Sequence, residues 1–173
     1  SEKITWGAKL TLNVTFQKMG LEHLDAVLEI EETSFPSPWS RSAFAYEILQ
    51  NQFACYIVAV ADENVVAGYG GMWLILDEAH ITNVAVHPDY RRNRIGGALM
   101  LELIKRAILK GATRMTLEVR PSNMAARRLY AALGFKDRGR RKRYYTDSNE
   151  DAIIMWKDNL FVGGQVRSVG RNC

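Results

Sequence analysis

Apolar positions along this chain change period several times. "LTLNVTFQKM", near the N-terminus, alternates apolar with polar residues, the period-two signature of a half-buried strand. "GLEHLDAVLEIEETSF" then places Leu21, Leu24, Val27, Leu28 and Ile30 at helical intervals. Two prolines in "FPSPWS" end that helix, and Ser40 is placed to cap a second one through "RSAFAYEILQN". "FACYIVAVA", "VVAGYGGMWLIL" and "AHITNVAVH" follow as three strands joined by short acidic turns, which predicts an antiparallel meander. The period then returns to helical in "IGGALMLELIKRAILKG", where Leu99, Leu103, Ile104, Ala107 and Ile108 share a face and Gly111 is placed as a C-cap. "TRMTLEV" is a strand, "SNMAARRLYAALGF" a helix capped by Ser122 or Asn123, and "DAIIMWK" a last strand.

A meander followed by a strand–helix–strand–helix unit predicts an α/β (α+β) fold, a mixed but mostly antiparallel sheet with helices on both faces. At 173 residues, without a Gly/Ser linker or internal repeat, the chain reads as one domain over 11–158. Residues 1–10 form an N-terminal extension and 159–173 a C-terminal tail. No apolar run reaches the length of a membrane span, and "SEKITWGAKLTL" lacks the apolar core of a secretory signal. Two cysteines, Cys55 and Cys173, do not make a disulfide framework, so the expected compartment is the cytoplasm.

The net charge of +4 is uneven: "KDRGRRKRYY" holds six of the 23 basic residues beside two tyrosines. That run is read as a solvated strand or loop edge. Attraction of nucleic acid or an acidic partner is the less favoured reading, since no nucleic-acid motif accompanies the charge. No His/Cys cluster has metal spacing, so no metal is expected, and His80 and His87 are read as structural or surface residues.

The chemistry begins in "NVAVHPDYRRNRIGGALM", which runs strand, turn, loop, helix. Backbone N–H groups at the start of that helix, together with its dipole, form a cradle for a phosphate or pyrophosphate. It is neither a P-loop nor a dinucleotide fingerprint, for GxxxxGK(S/T) and GxGxxG are both absent. The stretch resembles the acyl-CoA loop of the GCN5-related N-acetyltransferase (GNAT) superfamily, Arg/Gln-x-x-Gly-x-Gly/Ala, filled here by Arg91-Arg92-Asn93-Arg94-Ile95-Gly96. The combination of "FPSPWS", "ITNVAVHPDYR", "LEVRPSN", "LYAALGF" and "RRKRYYTD…EDAIIMW" is similar to the bacterial ribosomal-protein-alanine N-acetyltransferase (RimI) branch. The chain departs from that pattern in carrying Arg94 for the first glycine and "FPSPWS" for a shorter "FPWS".

The resemblance implies a GNAT fold, acetyl-CoA as cosubstrate and, as acceptor, the N-terminal alanine of a small-subunit ribosomal protein. It implies that the backbone of Val84, Ala85 and Val86 pairs with the pantetheine arm, and that Arg92, Asn93, Arg94, Ile95, Gly96 and Gly97 wrap the pyrophosphate. Asn123 aligns with an asparagine beside the cofactor, and a plain helix cap is equally open to it. Trp39, Tyr144 and Tyr145 align with the walls of the peptide groove, although packing is the commoner duty of such residues. An arginine at position 94 is tolerated at negative φ and strained at positive φ; anion binding is expected to persist, the guanidinium adding a contact.

Acetyl transfer needs a neutral amine, a stabilised oxyanion and a proton for the departing thiolate. An α-amine, with a pKa near 7.8 against about 10.4 for lysine, is easier to deprotonate at neutral pH by roughly 3.5 kcal/mol. Glu118 in "MTLEVR" is the expected base. The strand pattern alone leaves it either facing solvent or lining a cavity, and the resemblance to a catalytic glutamate in "LEVR" favours the latter. Tyr130 in "ARRLYAALGF" is the expected acid, its alternative being a core aromatic. Without a nucleophile elbow or a Cys–His pair, direct transfer is favoured over an acyl-enzyme. Two other readings stay open: an acetyltransferase for lysine or small amines, and a CoA-binding interaction module without catalysis.

Overall fold

The structure, a computed structural model, describes residues 2–4 and 12–160. The expected tail therefore lies outside the described residues from 161 on. Glu2–Ile4, inside the expected N-terminal extension, form a strand, β1, which pairs antiparallel with β2. The strands are β1, β2 (Leu12–Lys18), β3 (Ala54–Val60), β4 (Val66–Ile75), β5 (Glu78–Val86), β6 (Arg114–Val119), β7 (Lys136–Tyr145) and β8 (Glu150–Lys157). The helices are α1 (Leu24–Ser34), α2 (Arg41–Leu49), α3 (Ile95–Leu109) and α4 (Met124–Ala132). Hydrogen bonding orders the strands β1-β2-β3-β4-β5-β6-β8-β7, and the β5–β6 pair is parallel. This is the expected mixed, mostly antiparallel sheet.

The chain folds into two compact units. Among the described residues, the first is built from 2–4, 12–71 and 83–103, and the second from 72–82 and 104–160. The core of the first unit gathers Leu24, Val27 and Ile30 of α1, Phe44 of α2, Tyr56 and Val58 of β3 and Tyr69 of β4. Burying each of the three α1 side chains contributes about 2 kcal/mol relative to exposure. Ser40 caps α2 as its position suggests, its Oγ accepting from the Ala43 N–H at 3.2 Å. α3 lies close on β4 because β4 carries glycines there. A Cβ on Gly68 would stand 3.1 Å from Leu99 Cδ1 of α3, and one on Gly70 would stand 2.9 Å from Leu103 Cδ1.

In the second unit β6 is the hub, pairing parallel with β5 through Glu78–His80 and antiparallel with β8 through Met115–Val119. Gly111 and Gly134, both at φ +92°, end α3 and α4 in left-handed turns that L side chains resist. The basic run is the strand β7 at the end of the strand order, exposed along almost its whole length. An acidic partner meets part of that charge, for Arg138 pairs with Asp158, while the run's own Asp137 is paired with Arg127 of α4.

Candidate active site

In the first unit, β5 delivers Val84, Ala85 and Val86 to a single turn at 88–90, and a short loop then starts α3 at Ile95. Among the described residues the β5–β6 ladder runs from Glu78 to His80 and does not engage the backbone of Val84–Val86. Backbone left outside a ladder is what an extended ligand arm needs for pairing. Arg92, Asn93 and Arg94 are exposed, while Ile95 is buried and anchors the helix start. Arg94 accepts the first helical bond on its carbonyl, from the Ala98 N–H at 3.1 Å.

Arg94 has φ +56° and Arg92 φ +64°, with Asn93 between them outside the positive range. The position therefore keeps the left-handed backbone that a glycine would adopt, and the negative φ under which an arginine is tolerated without strain does not hold. Two non-glycine residues in this region cost about 1 kcal/mol each. The alternation in sign turns successive N–H groups toward one side, the arrangement that holds anions. Asn93 supports the loop from within, its amide donating to the carbonyls of Tyr90 (3.0 Å) and Arg91 (3.2 Å). An exposed turn of this shape at a helix N-terminus, carrying two guanidinium groups, fits a pyrophosphate in charge and donor type.

The loop 35–40 of the same unit is tied down by a residue that the sequence pattern did not single out. Glu31 is 2% exposed. Its carboxylate accepts from the Tyr69 hydroxyl and, at 2.9 Å, from the Trp39 backbone N–H. Burial raises the Glu31 pKa, and the bonds from Trp39 and Asn83 oppose that shift. The Trp39 ring packs on Phe44 (5.4 Å between centroids) and Tyr56 (6.5 Å). The half-buried Trp39 ring thus packs at the core edge.

The second unit assembles the expected proton-transfer groups. Glu118 sits in mid β6, its side chain 9% exposed, with Oε2 2.5 Å from His80 Nε2 and Oε1 3.6 Å from Arg141 Nη2. The parallel register explains the first partner: His80 stands beside Thr116, two residues before Glu118, so all three share one face of the sheet. Glu118 is therefore neither solvent-facing nor the isolated carboxylate that its apolar neighbours suggest. Tyr130, on α4, is partly buried, and loss of solvent pushes its phenol up to about 12. Tyr145 is pushed to about 12 chiefly by burial, the Arg120 guanidinium working against the shift and the Glu118 carboxylate adding to it. Tyr144 is exposed and stacks edge-on against Tyr145 at 5.1 Å.

Arg120 positions this corner. Its guanidinium lies 3.9 Å from the centre of the Tyr145 ring and donates to both Asp147 carboxylate oxygens (2.9 Å each) and to Ser148 Oγ (2.6 Å). Those bonds hold the Asp147 carboxyl below the usual range, and Glu150 is lowered by donors from Ser122. Asn123 is the cap of α4, its Oδ1 accepting from the Ala126 N–H at 3.2 Å, so the cap role is met. Among the described residues no group of three or more His, Cys, Asp or Glu is disposed to hold a metal ion. None of the described helices is long and apolar enough to cross a membrane.

The model of the Acetyltransferase (GNAT) family matches residues 24–135. The chain is a GNAT acetyltransferase. A Bacillus subtilis (strain 168) protein named "putative ribosomal protein bS18-alanine N-acetyltransferase" is 45% identical over 140 residues, 81% of this chain and 92% of that one. The ribosomal protein bS18-alanine N-acetyltransferase of Escherichia coli (strain K12) is 39% identical over 144 residues, covering 82% of this chain and 95% of its own. The crystal structure of the Escherichia coli ribosomal-protein-S18-alanine N-acetyltransferase superposes with a TM-score of 0.78 at 34% identity, over 90% of this chain and 99% of that one. Sequence reasoning did not single out Arg120, and it read His80 as structural or surface and Arg141 as part of a solvated edge. "LEVR" placed Arg120 two residues after Glu118, but only the tertiary structure shows what each of the three touches.

Proposed function

We propose that this GNAT enzyme transfers the acetyl group of acetyl-CoA to the N-terminal amine of ribosomal protein bS18, whose first residue is alanine, by direct attack in the cytoplasm. The observation that carries the reading is the enclosed Glu118 carboxylate, held on β6 by an imidazole at one oxygen. Relatives with that activity, matched over most of their length, supply the acceptor.

The exposed turn Arg92–Gly97 binds the pyrophosphate, and the backbone of Val84–Val86 pairs with the pantetheine arm. Glu118 takes the proton of the α-ammonium, directly or through one water, and the freed amine attacks the thioester carbonyl. An α-amine demands less of that base than a lysine does, by roughly 3.5 kcal/mol at neutral pH. Tyr130 supplies the donor for the departing sulfur. With a phenol pKa of about 12 it stays protonated through the working range. Complete transfer to an ordinary thiolate is uphill by about 5 kcal/mol, so its main contribution is a hydrogen bond to the developing charge. Tyr144 and Tyr145 contact the peptide N-terminus, and Asn123, while capping α4, lies along the cofactor.

The test is mass spectrometry of the products formed from acetyl-CoA and three acceptors: a peptide beginning with alanine, the same peptide with a blocked N-terminus and an internal lysine, and a small amine. Acetylation of the free N-terminus alone is the expected result. Turnover confined to lysine or the small amine overturns the reading.

A further inference from the structure

Glu118 is the enclosed member of its pair, and His80 is the accessible one. The carboxylate is 9% exposed and the imidazole 32%, with Nε2 and Oε2 2.5 Å apart. An ionised carboxylate only accepts hydrogen bonds, so opposite it Nε2 is the donor of the pair. The Trp73 ring on β4 stands perpendicular to the imidazole at 6.0 Å and fixes its plane. The charged group facing His80 is Glu118 on β6, with Arg141 of β7 on the far side of that carboxylate at 3.6 Å. Glu78, two residues earlier on β5, is paired with Arg114 of β6.

We propose that His80 is a positioning residue for the acetyl transfer. Its Nε2–H holds Oε2 of Glu118 and so leaves Oε1, the oxygen that also faces Arg141 at 3.6 Å, to meet the substrate amine; this rests on Glu118 being the base. The consequence is a dependence on pH that the carboxylate alone would not produce. Imidazole is the side chain that ordinarily changes charge between pH 5 and 8. A second proton on His80 places a full cation against Oε2, and a carboxylate so paired is a poorer proton acceptor. Activity is therefore lower wherever the imidazole carries its second proton. Glutamine at this position keeps an N–H donor and cannot charge.

The measurement is kcat and KM for a peptide beginning with alanine, from pH 5.5 to 9, for the wild type, His80→Gln, His80→Ala and Glu118→Gln, with CoA binding by calorimetry. His80→Ala is expected to lower kcat by about ten- to a hundredfold with CoA affinity within twofold, the scale of a misplaced catalytic group. His80→Gln should restore most of kcat and carry its acid limb to lower pH than the wild type. The proposal is overturned if His80→Ala stays within twofold of the wild type, or if His80→Gln is as impaired as His80→Ala. An acid limb in His80→Gln that coincides with that of the wild type overturns it as well. Full turnover by Glu118→Gln sinks the base assignment itself. An inactive Glu118→Gln beside unaffected His80 variants removes only the role of His80.

Discussion

The molecule encloses two glutamates in very different ways. Glu31, on α1 in the first unit, has neutral donors about it: the Tyr69 hydroxyl, the Trp39 backbone N–H and the Asn83 side chain. Glu118, on β6 in the second unit, meets an imidazole and a guanidinium, both more exposed than itself. Neutral donors fixed in a core offer a proton no way out and make Glu31 a clasp for the loop 35–40. A titratable partner open to solvent suits proton exchange, and that is the setting of Glu118. Burial by itself does not mark a catalytic carboxylate; the chemistry and exposure of its partners distinguish the two.

The comparison is put at most risk by replacing each acid with its amide. Glu118→Gln should cut kcat by about 10²–10⁴-fold, the usual worth of a general base, with CoA binding near the wild-type value in calorimetry. Glu31→Gln should leave kcat within a few fold, and an equal loss in both variants would erase the distinction. Thermal and urea unfolding probe the structural side. Glu31→Ala leaves the Tyr69 hydroxyl and Trp39 N–H without their acceptor and should cost about 2–4 kcal/mol. Glu31→Gln keeps hydrogen-bonding capacity and should stay within about 1 kcal/mol of the wild type. Burial raises the folded-state pKa of Glu31, so its ionised form is disfavoured by folding. Wild-type stability should therefore fall relative to Glu31→Gln as pH rises above the ordinary carboxylate range, and the opposite trend would contradict a desolvated acid. The smallest effect is expected at the anion turn. Arg94→Gly relieves a left-handed arginine and should raise stability by up to about 1 kcal/mol. Its CoA affinity should be no tighter than that of the wild type, and clearly tighter binding would make the guanidinium a burden on the site.

Much of this arrangement was legible in one dimension. The helical spacing from Leu24 to Ile30, Ser40 as the cap of α2, the meander of β3 to β5 and the Gly111 stop all have short-range causes and appear where the pattern placed them, whereas Leu21 lies exposed in a 3-10 turn ahead of α1. The strand formed by Glu2–Ile4 was not legible, because three residues carry too little periodicity and their pairing with β2 supplies the order. The positive φ of Arg94 was also hidden. Arginine ordinarily avoids that region, and the loop geometry overrides the preference.

The sequence by itself determined the order of strands and helices from β2 to α4 through local periodicity, and its contiguous residues carry the Arg91–Gly96 loop pattern, Glu118 and Tyr130. Only the tertiary structure decided what surrounds each acid. His80 reaches Glu118 because a parallel register sets His80 beside Thr116, and Arg141 reaches it by way of β8, the strand between β6 and β7. Side chains 38 and 23 positions away along the chain become neighbours through hydrogen-bonded strands. The charge and exposure of those neighbours, which no linear pattern encodes, separate the clasp at Glu31 from the proposed base at Glu118.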